Sequence, residues 1–131
     1  MELILEIDVN VLGAIDVEGS KQKVVMVDFD GTARGKYFSG KVVGSGVDTQ
    51  KYPKDENGNV LKGSLSARYM LEGIDFTGEH CRIFIENNVN EKGGFPLVTT
   101  NSAALRSWET SRLFSSVDAK EKGVLVKIFK D

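Results

Sequence analysis

Phe38-Ser39-Gly40-Lys41-Val42-Val43-Gly44-Ser45-Gly46-Val47-Asp48-Thr49-Gln50 starts as a strand, loosens into glycines, then sets a carboxylate and a carboxamide two residues apart. Side chains i and i+2 of an extended chain point to the same side, so Asp48 and Gln50 share a face. Gly44-Ser45-Gly46 has the composition of a phosphate-cradling loop. Such a loop feeds a helix N-terminus, whereas Thr49, Gln50, Lys51, Tyr52 and Pro53 follow here. The glycines are therefore expected to bend a sheet at a corner or bulge.

The flanking segments read as strands. Glu2 to Val9 alternates, with Leu3, Leu5, Ile7 and Val9 on one face and Glu2, Glu6 and Asp8 on the other. Two glycines in Leu12 to Ser20 predict a turn or a broken strand. Gln22 to Phe29 is a β-branched apolar run ended by Asp30-Gly31, and Lys36 to Val43 follows it. Asn57-Gly58 predicts a tight primed turn from the Val47–Tyr52 arm into a strand over Asn59 to Leu71. There Leu61, Leu65, Ala67, Tyr69 and Leu71 oppose Lys62, Ser64, Ser66 and Arg68. Cys81 to Asn87 repeats the pattern, and Asn88 to Gly94 reads as a polar loop with Pro96 as a further breaker. Asn101 or Ser102 is placed to cap a short helix; Thr110 to Val117 and Val124 to Phe129 close the chain as strands. Short strands at nearly even spacing predict an all-β protein. The expected form is one antiparallel β-barrel of about eight strands, calycin-like, with at most one short helix, in a single domain over residues 1–131.

Composition narrows the function. A formal net charge of -2, with lysines scattered along the chain, excludes the clustered basic surface of a nucleic-acid binder. One Cys and one His do not make a structural zinc site, and no metal or cofactor is expected. A lone Cys81, an acidic N-terminal stretch and no apolar run of membrane-spanning length predict a cytoplasmic protein without membrane contact.

Three motifs compete for chemistry. Asp28-Phe29-Asp30-Gly31-Thr32 matches the first motif of the haloacid dehalogenase-like phosphatases, but a strand follows it where that chemistry needs a helix. A strand ending in an Asp-Gly turn is the expected structure. His80 and Cys81 are neighbours, so on a strand they face opposite ways and form no dyad; Cys81 shares the Ile83/Ile85 face. Asp48 and Gln50 remain. On an inward face Asp48 would be a carboxylate among apolar side chains, suited to acid–base work or to anchoring a ligand. Tyr69 and Asn87 lie on faces shared with aliphatic residues and need partners there.

Gly44-Ser45-Gly46-Val47-Asp48-Thr49-Gln50, Ala67-Arg68-Tyr69, Ile83-Phe84-Ile85-Glu86-Asn87, Val98-Thr99-Thr100 and Trp108 with Leu113-Phe114 occur in one order. In this order and spacing the chain, from about Gly31 onward, resembles domain-of-unknown-function family 3237, small bacterial and fungal β-barrels. Thr49 stands where that family often has Trp, Val89 where it often has Gly, and Thr110 where Asn is common. The resemblance implies a barrel with an interior polar cluster. The expected function is binding of a small, partly apolar metabolite. Asp48, Gln50, Tyr69, Asn87 and Thr99 would be its polar contacts and Trp108 an apolar wall. An enzyme (isomerase, lyase or hydrolase) using Asp48 as general acid/base is the alternative. A non-catalytic assembly module is the third reading, and pairing into homodimers is compatible with each.

Overall fold

The computed structural model describes residues 1–131 as nine antiparallel strands and one turn of 3-10 helix. The strands are β1 (Glu2–Glu18), β2 (Gln22–Arg34), β3 (Phe38–Val42), β4 (Gly46–Pro53), β5 (Ser64–Asp75), β6 (His80–Asn90), β7 (Gly93–Thr100), β8 (Leu113–Lys120) and β9 (Gly123–Lys130). The 3-10 turn, Arg106–Glu109, lies between β7 and β8. The strands form one sheet in the order β1-β9-β8-β7-β6-β5-β3-β2-β4, and the β1–β2 pairing closes it into a ring. Strands β3 and β4 both sit between β2 and β5, end to end. Nine strands therefore occupy eight positions around the barrel, a number whose interior side chains can nearly fill.

The expected bend falls where β3 hands over to β4. Gly44 adopts φ +65°, which only glycine takes without steric cost. Gly46 is needed for space: a Cβ there would lie 2.4 Å from Cζ of Phe29, whose ring occupies the inside of the break. Phe29 is itself buried and held edge-on to Tyr69, with ring centroids 5.5 Å apart.

Below the break the barrel is packed solid. Leu5, Ile7, Ala33, Phe38, Leu71, Cys81, Ile83, Ile85 and Ile128 are all buried there. The 3-10 turn plugs this end, with Trp108 5% exposed and edge-on to Tyr37 at 6.3 Å. Asp75 is buried at the rim of the plug, where the Thr77 and Ser102 hydroxyls donate to its two oxygens. The Ser102 bond is 2.7 Å long, and Ser102 Oγ in turn accepts from the Leu105 N–H.

Several local expectations are corrected. A bulge between Leu3 and Leu5 puts Ile4 inside and leaves Leu3 40% exposed, so Leu3 leaves the face it would share with Leu5. Leu12 to Ser20 holds no break before Glu18: a second bulge between Val11 and Gly13 absorbs the irregularity, and β1 runs on against β2. This makes a long β1–β2 arm. Its outer face carries exposed Leu12, Ile15, Val17 and Met26, and β9 pairs with β1 only as far as Asn10. The chain does not turn at Asp30-Gly31 either. Strand β2 continues to Arg34, because Gly31 lets the β1 backbone approach so closely that a Cβ would lie 2.4 Å from the Asp8 carbonyl oxygen.

Asn57-Gly58 is a turn, but not a primed one. No residue other than glycine has positive φ; Gly58 does, at 82°, and Asp55 Oδ1 accepts from the Asn57 and Asn59 N–H groups. Consequently β5 starts at Ser64 rather than Asn59, and Leu61 is exposed. The supposed polar loop at Asn88 to Gly94 is mostly strand, with a tight connection at Glu91-Lys92, and Pro96 sits within β7 opposite Asn87. His80 and Cys81 do part as expected, Cys81 buried and His80 exposed.

Candidate functional site

Above Phe29 the interior opens into a cavity of about 350 Å³. Val9, Val11 and Ala14 of β1, Val27 and Phe29 of β2, and Val117, Val124 and Val126 of β8 and β9 form its apolar walls. Asp48, Gln50, Leu65, Ala67, Tyr69 and Asn87 complete it. Sheet register explains the grouping. Ala14 pairs with Val27, Val27 with Asp48, Asp48 with Ala67, and Ala67 with Asn87, and directly opposed residues point to one face. One layer of the barrel thus runs Ala14–Val27–Asp48–Ala67–Asn87. Gln50 and Leu65 pair one layer nearer the mouth, and Tyr69 lies one layer deeper on β5, against Phe29.

Of the residues expected at the site, Asp48, Gln50, Tyr69 and Asn87 come together. Thr99 and Trp108 do not join them. Strand β7 turns Val98 inward and Thr99 outward, leaving Thr99 exposed, while Trp108 belongs to the plug at the opposite end.

The polar side chains form a short relay. The Tyr52 hydroxyl donates to Gln50 Oε1 at 2.9 Å, and Gln50 Nε2 donates to Asp48 Oδ2 at 3.0 Å. Both ends of the Gln50 carboxamide are therefore in use. Asp48 Oδ1 is buried without a hydrogen-bond partner, and so is the Tyr69 hydroxyl. Burial raises the Asp48 carboxyl above its ordinary range, opposed only in part by the Gln50 amide. Burial likewise lifts the Tyr69 phenol far above its usual value. Asn87 Oδ1 accepts from the Ser115 hydroxyl at 2.9 Å, so what Asn87 offers the cavity is its NH₂ group.

Tyr52 escaped the sequence reading although its signal was present: Asp48, Gln50 and Tyr52 follow one another at intervals of two on the inward face of β4. The walls supplied by Val117 and Val124 had no comparable signal, because they arrive from strands far along the chain.

No family model matches the chain, and no curated protein matches it. Solved structures do. A protein of unknown function from Clostridium acetobutylicum shares 20% identity, covering 98% of this chain and 96% of that one, with a TM-score of 0.70. A β-barrel-like protein from Acinetobacter baumannii shares 14% identity over 98% and 93% of the two chains, with a TM-score of 0.72. An enzyme from Penicillium herquei shares 13% identity over 99% and 92%, with a TM-score of 0.70. The likeness is one of fold. No helix is long and apolar enough to cross a membrane, and no cluster of three or more His, Cys, Asp or Glu could hold a metal ion.

Proposed function

We propose that the open end of the barrel binds a small, partly apolar molecule, with Asp48, Tyr69 and Asn87 as its polar contacts. One observation carries the reading: Asp48 Oδ1 and the Tyr69 hydroxyl are buried and unpartnered in a cavity whose other walls are mostly aliphatic. Each such group costs roughly 1–3 kcal/mol until something hydrogen-bonds to it. A ligand that brings polar atoms to both and covers the aliphatic walls recovers that cost. The cavity falls within the size range of small-molecule sites, toward its lower end. The resemblance to family 3237 supports the same location, since Asp48, Gln50, Ala67, Tyr69 and Asn87 from its motifs all line this cavity.

A metabolite thermal-shift screen on the wild type and on Ala67→Leu tests this. Leucine at 67 would occupy the cavity between Asp48 and Asn87. A true ligand at a hundred times its Kd should add about 2.7 kcal/mol to wild-type stability and little to the variant. Equal shifts in both proteins for every hit would sink the proposal.

The raised Asp48 carboxyl favours a second reading, an enzyme. An acid that keeps its proton closer to neutrality can pass it to a carbonyl substrate and take another back, as isomerases, lyases and hydrolases require. The fold relative from Penicillium herquei is described as an enzyme, which is compatible with that reading. Turnover assays on each stabilising compound separate the two: chemistry that disappears in Asp48→Asn marks an enzyme, and binding without chemistry marks a binder. The assembly-module reading draws no support from an open interior.

A further inference from the structure

We infer that the cavity selects uncharged ligands that present hydrogen-bond acceptors, such as the carbonyl oxygens of ketones, lactones or quinones, over amines and carboxylates. The inference rests on the reading of this cavity as a ligand site and names the chemistry it accepts.

Gln50 is held at both ends, its oxygen accepting from Tyr52 and one N–H donating to Asp48, which leaves its second N–H as a free donor. Asn87 has spent its oxygen on Ser115, so it presents NH₂. Tyr69 presents an unpartnered O–H on the cavity floor beside Phe29. Asp48 presents Oδ1, which carries the proton when the carboxyl is neutral, since Oδ2 is the atom that accepts from Gln50. The free valences are therefore donors at Tyr69, Asn87 and Gln50, with Asp48 a further donor while its carboxyl is neutral. Donors call for an acceptor, and a carbonyl oxygen accepts two hydrogen bonds through its lone pairs.

The same walls exclude charge. No Lys, Arg or His lines the cavity. A carboxylate or phosphate would lose its water and meet no cation, at a cost of several kcal/mol. An ammonium group would find Asp48 as its one anionic partner and the Tyr69 oxygen as an acceptor, while the N–H donors of Asn87 and Gln50 would face it without an acceptor. A neutral ketone leaves none of these donors in that position, and none of the polar groups once the Asp48 carboxyl is neutral.

Four probes with one apolar body decide the matter: tetralin, β-tetralone, protonated aminotetralin and tetralin carboxylate, each titrated into the full-length protein and followed by amide NMR shifts. β-Tetralone should bind roughly tenfold or more tighter than each of the other three, about the worth of one well-made hydrogen bond. Its affinity should fall as pH rises through the Asp48 titration. Asp48→Asn, which still donates from Nδ2, should keep the ketone; Tyr69→Phe should lose most of the preference over tetralin; Ala67→Leu should lose every probe. Tightest binding by aminotetralin, abolished in Asp48→Asn, would overturn the inference and leave the cavity as a ligand site. Tightest binding by the carboxylate would overturn it in the same way. Failure of all four probes to bind at millimolar concentration would remove the ligand-site reading, and the inference with it.

Discussion

The two ends of the barrel each bury an aspartate on β5 or its neighbour, and treat it in opposite ways. At the plugged end Asp75 receives hydroxyl donors from Thr77 and Ser102 and backbone donors from Thr77 and Glu79, and these hold its carboxyl down to about 2. At the open end Asp48 receives one amide, keeps one oxygen unpartnered, and is pushed up by burial. Burial alone predicts neither outcome; the number of donors aimed at the charge decides it. A fully satisfied carboxylate ties a loop to a barrel rim. A half-satisfied one is left for something else to complete.

The largest test of this contrast is Trp108→Ala. Emptying the plug should cost about 3–5 kcal/mol of stability, as other buried Trp truncations do, measured by urea unfolding. If the two ends are separate devices, affinity for a cavity ligand should survive wherever the variant stays folded. A parallel loss of both would show that the plug shapes the cavity.

Gly46→Val should be next. Its side chain would drive into the Phe29 ring, which Tyr69 prevents from swinging away, at a cost of about 1–3 kcal/mol. Here ligand affinity should fall too, because Phe29 and Tyr69 are the cavity floor. A variant as stable as wild type would mean that the ring has room to move.

The aspartates themselves predict opposite pH responses. Asp75 titrates lower in the folded chain than in the unfolded one, so its contribution is present above the ordinary carboxylate value and is lost as pH falls toward about 2. Asp75→Asn should therefore be destabilised at neutral pH, with the deficit shrinking on acidification through that window. Asp48 titrates higher when folded. Its ionisation costs stability as pH rises above the ordinary carboxylate value, so Asp48→Asn should melt higher than wild type at neutral pH and converge with it in acid. Thermal unfolding against pH would show both slopes, and slopes of the same sign would refute the comparison.

The smallest effect belongs to Tyr52→Phe. Losing one half-buried hydrogen bond should cost about 0.5–1.5 kcal/mol. It also frees the Gln50 carboxamide to rotate, so discrimination between ketone and amine ligands should weaken more than stability does. Thr99→Ala, on the outer face of β7, should change neither.

Period-two alternation made much of this legible from the residues. It placed Leu5, Ile7 and Val9 inside, put Cys81 and His80 on opposite faces, and aimed Asp48, Gln50, Tyr69 and Asn87 at one interior. It failed where a bulge resets the phase, as at Ile4 and Leu12, because a bulge depends on the partner strand and leaves no mark in its own residues. It failed again where glycine serves close packing rather than turning. Gly31 and Gly13 look like breakers, yet both lie within continuous strands. The bond between Asp75 and Ser102 spans 27 residues and has no local signature at all. Thr99 was misplaced by one position, which in a strand means the other side of the wall.

One seam of the ring joins its first and last strands: Glu2 lies opposite Lys130, and β1 then pairs with β9 as far as Asn10. The cavity draws wall residues from both partners in this seam, Val9 and Val11 from one and Val124 and Val126 from the other. Contacts so distant along the chain must wait for the intervening loop to be ordered, which places the protein among slow-folding topologies. During refolding, the β5–β6 hairpin that carries Tyr69 and Asn87 should gain protection from hydrogen exchange first. Ligand-binding capacity should appear only in the last kinetic phase, when the two chain ends meet.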